Sequence, residues 1–195
     1  WNSETLDYSG RYIVRLLSED MSETYVDYGT EIQIYNTAAN KPNEVWIDDF
    51  EALFPLKSKF FLSGSPSSFR STESGFYKLT DNPYAFGMPD DAPEGDGEDL
   101  VEERYYLRAE LLDGKITPKS FTTKGGNITS GIQFTIKLYS GTVSSRSYTL
   151  PESQWKNPTT PEYAWKMTGI HYDSSMDETY IVEGFLYTGF DEDEY

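Results

Sequence analysis

Glu31–Phe50 reads EIQIYNTAANKPNEVWIDDF, and two strands are written in it. Ile32 and Ile34 alternate with Gln33 and Tyr35, and Val45 and Ile47 alternate with Trp46 and Asp48, the period of a half-buried strand. Between them Asn40, Pro42 and Asn43 supply turn chemistry, because Asn tolerates left-handed backbone and Pro fixes φ while removing a donor. A hairpin with a structured tip follows. Asp48 and Asp49 are adjacent, so on a strand they point to opposite faces and do not form a facing pair of carboxylates.

Outward from this hairpin the same period recurs. Upstream, Arg11–Leu17 sets Tyr12, Val14 and Leu16 against Ile13 and Leu17, while Met21–Asp27 reads as a polar turn. Downstream, Glu51–Pro55 predicts one helical turn ended by its proline, Lys57–Leu62 returns to strand, and Phe69–Leu79 is a weaker strand pair broken at Ser71–Gly75. Asp81–Glu103 holds three prolines, three glycines and a dense set of acids, which predicts a long, exposed, mobile loop. Arg104–Ile116 is the longest strand candidate, with Tyr105, Leu107, Ala109 and Leu111 on one face and Asp113-Gly114 as a tight-turn signal. Gly131–Tyr139 alternates most cleanly, with Ile132, Phe134, Ile136 and Leu138 turned inward against Gln133, Thr135 and Lys137. Tyr148–Leu150 adds a short strand, Trp165–Tyr172 and Thr179–Phe190 form a last hairpin, and the acidic tail 191–195 is expected to fray. About eight to ten strands without a helix of ordinary length predict an all-β chain. A single antiparallel β-barrel domain over residues 1–195 is preferred to a sandwich, because a barrel leaves no open edge.

Composition narrows the function. Sixteen basic against 33 acidic residues give a net charge of −17, and a surface that negative repels the phosphate backbone, so nucleic acid is excluded as a partner. The absence of cysteine removes disulfides, thiolate zinc sites and a Cys nucleophile together. No apolar run exceeds three residues, so neither a membrane-spanning helix nor a signal-peptide core is written here. The chain opens at Trp1 without Met, and an N-terminal piece is expected to precede it.

Tyr35–Asp49, with the opening DYSGRYIVRLL (7–17) and the closing EGFLYTGFDEDEY (183–195), resembles a family of Bacteroidetes surface or periplasmic lipoproteins described as lipid-binding putative hydrolases. Both ends of the chain carry the resemblance, while Ser63–Gly126 matches in strand order and length. It implies a lipocalin-like or calycin-like barrel and a place in the cell envelope. The only tie to the membrane it implies is a lipid anchor on a lipobox Cys upstream of the given chain. It brings no catalytic motif.

Candidate residues are weighed against ordinary packing. His171, the single histidine, stands between Ile170 and Tyr172 without the convergent partners that metal or acid–base sites need, which favours a structural role. No G-x-S-x-G elbow marks a serine nucleophile. The acids of 90–103 fail the calcium-loop pattern because Ala92 and Pro93 stand at ligand positions. Trp46, Trp155 and Trp165 serve either packing or sugar stacking, with Trp155 the most exposed of the three. Inward rings either line a ligand cavity or fill the barrel, since both cases share one alternation. The expected function is an envelope binding protein for a small apolar or amphipathic, lipid-like ligand. It would be held by Trp46, Tyr105, Leu107, Phe134, Ile136, His171 and Phe185, without metal or cofactor. The alternatives are an ester or glycan hydrolase and a glycan-binding surface module. Oligomeric state is left open.

Overall fold

The computed structural model describes residues 5–50, 52–54, 56–63, 67–71, 77–78, 89 and 91–193, apart from the side chains at 58, 67–71, 77–78, 104, 105 and 108. Ten strands run in order: β1 (Gly10–Ser18), β2 (Thr24–Asn36), β3 (Glu44–Asp48), β4 (Lys57–Ser63), β5 (Ser67–Ser71), β6 (Tyr77–Lys78), β7 (Asp99–Thr122), β8 (Ile128–Thr149), β9 (Tyr163–Tyr172) and β10 (Glu178–Leu186). Helix among the described residues is limited to single 3-10 turns at Glu152–Gln154, Ser174–Met176 and Asp191–Asp193. The chain is all-β, as its period-two patterning predicts. Residues 52–54 are bends rather than the expected helical turn. The chain groups into two compact units: Trp1–Tyr77, Ala109–Leu138 and Glu178–Tyr195 form the first, and Lys78–Arg108 and Tyr139–Asp177 the second.

In the first unit the hydrogen-bonded neighbours run β7-β5-β4-β3-β2-β1-β10-β8, and β8 pairs in turn with β7, so a circuit of eight antiparallel strands returns to its start. This order fits a lipocalin-like barrel, a size whose interior side chains can fill. Register shows why these strands pair as they do. Tyr12 lies opposite Ile32 and Leu186, Val14 opposite Gly184, Ile34 opposite Ile47, Val45 opposite Phe60, and Ile132 opposite Gly184. Partners share a face, so the apolar sets of successive strands merge into one inner layer. The other face carries Arg11, Arg15, Gln33, Trp46, Gln133 and Glu183.

The inner layer is sealed. Tyr12, Ile34, Leu111, Ile136 and Leu138 are fully buried, leaving no room for a water against them. Tyr12 donates its hydroxyl to the Tyr8 carbonyl at 2.9 Å, and burial pushes the phenol well above its usual range. The loop after β3 seats Phe54 against Tyr180 at 5.6 Å, and the buried Asp49 holds that loop by accepting from the backbone N–H groups of Phe54 and Leu56. Asp48 turns the other way. Lys57 pairs with it at 2.7 Å, and Tyr35 and the Phe50 N–H donate to it. Burial works to raise the Asp48 pKa, yet those partners outweigh it and hold the carboxyl below its ordinary value. The two carboxylates thus serve separate structural ends, as their adjacency predicts.

Three departures from the sequence expectations have local causes. Asp113-Gly114 does not end a strand. Asp113 takes φ 50° inside β7, and the buried positions change phase from Leu111 to Gly114 and Ile116, so the turn signal is absorbed as a bulge. β2 begins at Thr24, within the stretch read as a polar turn, and Tyr148–Leu150 is no separate strand because β8 runs to Thr149. Within Phe69–Leu79, residues 69–71 and 77–78 are strand, and 72–76 and 79 lie outside the described residues.

In the second unit the described part of the acidic stretch makes specific hydrogen bonds. Residues 99–103 already belong to β7. Ser147 binds the residues before them through four hydrogen bonds: its hydroxyl donates to the Gly95 carbonyl and accepts from the Glu98 N–H, while its backbone pairs with Gly97 and Glu98. Trp165 donates its indole N–H to the Asp91 carbonyl at 2.8 Å. Residues 81–88 and 90 of the expected loop lie outside the described residues. β9 pairs with β8 from Gly141–Tyr172 to Thr149–Tyr163, and Trp155, expected to be exposed, is half-buried with its indole N–H on the Leu150 carbonyl.

The acidic tail is likewise anchored as far as Asp193, which is fully buried. Its carboxylate accepts from the Gly125 N–H at 3.1 Å, the Asn127 amide at 3.1 Å and the Thr188 hydroxyl. Burial alone would raise its pKa, but hydrogen bonds from Thr123, Thr188, Asn127 and Gly125 outweigh it and leave the carboxyl below its ordinary value. A lowered pKa stabilises the fold above the unfolded-state value, and that contribution disappears as pH falls through the folded value. Asp193→Asn should therefore be less stable than the parent in urea at pH 7, and the gap should close as pH falls below about 4. A gap that persists at pH 3 would show that charge is not what the clasp supplies.

Candidate ligand-binding cleft

The largest irregularity of β2 builds the site. Val14 of β1 lies opposite Thr30, yet Leu16 lies opposite Val26, so residues 27–29 bulge against Arg15 alone. Gly29 permits this at φ 131°, a backbone that L side chains rarely adopt. The bulge carries Tyr28 to the outer face, where its ring meets Phe185 at 5.7 Å and the Arg15 guanidinium at 5.1 Å. Phe185 points outward because its neighbours Gly184 and Val182 point in. Its partner across the ladder is Gly131, where an added Cβ would lie 2.5 Å from the Ser120 Oγ. Phe121 stacks on Phe185 with centroids 4.5 Å apart and planes 12° from parallel, and Tyr28 meets it edge-on at 6.1 Å.

Three rings thus gather on the outer face of the first unit, drawn from β2, β7 and β10. Beside them opens a cleft of about 270 Å³, lined by Tyr28 and Phe121 together with Lys115, Thr117, Ser120, Gln133 and Glu183, while Phe185 is fully buried against Phe121. Its charges are largely matched. Arg15 donates to Glu183 through Nε at 2.8 Å and through Nη2, and Gln133 donates to the other carboxylate oxygen at 3.1 Å. Ser120 donates its hydroxyl to the Thr117 carbonyl at 2.8 Å and accepts from the Gly131 N–H, so it is committed to the β7–β8 hairpin. The cleft is amphipathic, with an aromatic floor under a polar rim.

The residues expected to hold a ligand fall in different places. Phe134 and Ile136 sit in the sealed inner layer, 2% and 0% exposed. Leu107, in the second unit, is also buried. Phe185 is completely buried but faces the opposite way from Phe134, so it supports the Tyr28 and Phe121 rings from behind and belongs neither to the inner set nor to the lining of the cleft. Trp46 is half-buried on the outer face, with the Lys59 ammonium 5.5 Å from its ring. His171 is exposed on β9 of the second unit, opposite Thr142. Tyr105 lies in β7, and its side chain is outside the described residues. Tyr28 and Phe121 escape sequence reading. The only local signal is Gly29, a glycine inside a strand pattern, which marks a bulge without saying which ring it turns.

A curled antiparallel sheet of eight strands with an amphipathic cleft is the architecture of a small-ligand barrel. Residues 1–191 match the family model described as lipid-binding putative hydrolase, and the chain belongs to that family. A search of curated proteins found no match.

Proposed function

We propose that the protein binds one small lipid-like amphiphile in the outer cleft, with the chain of the ligand on the rings of Tyr28 and Phe121, which Phe185 backs from within, and its polar end at the rim. The observation that carries this reading is the convergence of two aromatic rings, Tyr28 and Phe121, and a polar rim in one open cleft, with Phe185 packed against both rings from within. Membership of a lipid-binding family supports it. Work in the cell envelope rests on the resemblance to envelope lipoproteins.

A dansylated undecanoic acid should bind saturably, one per chain, with a blue-shifted emission. Phe121→Ala should weaken it about tenfold or more, because the ring covers a single apolar chain. Absence of saturable binding to the parent, under conditions where a lipocalin control binds, would falsify the reading.

A further inference from the structure

We infer that the cleft selects an amphiphile with an anionic head group, which Lys115 receives; this rests on the binding function proposed above. The chain is acidic, and a surface of that charge gives an anion no general welcome. The cleft is locally different. Its two other charged neighbours cancel, since Glu183 is held by Arg15 and by Gln133. Lys115 stands on the outer face of β7, next to the inward Ile116, and makes no ion pair with a described residue. The cleft therefore keeps one uncompensated positive charge beside an aromatic floor.

The side chains around it fit an oxyanion. Gln133 spends one amide N–H on Glu183, leaving the other available, and Thr117 is a further hydroxyl-bearing residue of the lining. An ammonium with these donors recognises a carboxylate or phosphate by charge-assisted hydrogen bonds. A cationic head group would meet Lys115 without a free carboxylate to offset it.

Calorimetric titration of decanoate, octyl phosphate, octyl glucoside and decyltrimethylammonium into the parent, Lys115→Gln and Lys115→Arg proteins tests this. The parent should prefer the two anions over octyl glucoside by about tenfold or more. Lys115→Gln should erase that preference and Lys115→Arg should keep it. Whichever of decanoate and octyl phosphate binds more tightly identifies the source of the oxyanion. Equal binding of anionic and neutral ligands by the parent, or an undiminished preference in Lys115→Gln, overturns the inference while leaving the proposed binding function standing. Failure of all four ligands to bind the parent removes both.

Discussion

Gly184→Ala should abolish the cooperative fold. A Cβ at this position would lie 2.1 Å from the Ile13 carbonyl oxygen and 2.8 Å from the Val14 Cα, and both are backbone atoms of β1 that no rotamer change can move. The only relief is to part β1 from β10, the pair that joins β2 to β8 around the circuit. Ordinary overpacking costs about 1–3 kcal/mol. A clash that separates two central strands should exceed that, which is a large part of the roughly 5–15 kcal/mol that holds a domain together. Near-UV circular dichroism and a thermal melt of the soluble fraction read the outcome. A variant melting cooperatively within a few degrees of the parent would show that β1 and β10 tolerate more separation than the clash allows.

Phe134→Ala carries the second large effect. Phe134 lies opposite Val182 in the inner layer and is 2% exposed, so its loss removes a buried ring and leaves a void that close-packed neighbours refill only in part. The expected cost is about 3–5 kcal/mol, measured as a lower urea midpoint at unchanged slope. Probe binding in the outer cleft should survive wherever the variant is folded, because Phe134 faces away from the Tyr28, Phe121 and Phe185 rings. A loss below about 1 kcal/mol, with a gain in uptake of the dansylated probe, would place the ligand inside the barrel instead.

These two residues also show what could be read before any coordinates. Phe134 belongs to the cleanest alternation of the chain, and its inward direction follows from the cost of burying Lys137 in its place. The strands from β1 to β4 and the β2–β3 hairpin were legible for the same reason, since burial of one face leaves a period of two. Gly184 was not. Its need comes from the backbone of a strand far off in sequence, and a glycine in a strand pattern does not say what approaches it. The cleft failed for a related reason. Phe185 sits one residue from Gly184 and reads as one more inward ring until the register with Ile13 and Gly131 fixes its side. In the acidic segment composition gave no sign of the backbone bonds that residues 95–98 make with Ser147, because such bonds depend on a strand distant in sequence.

The pairing of β1 with β10 bears on how the protein is made. Ser18 meets Tyr180 and Tyr12 meets Leu186, so β1 lacks one of its neighbours until residues 180–186 have been made. Loop closure over so long a stretch is slow, and contacts this distant in sequence lower folding rates. Until β10 emerges from the ribosome, the apolar YIVRLL segment at 12–17 has one unpaired side, a template for association with other chains. Closure of the circuit thus waits for β10, and until then β1 is held by β2 alone.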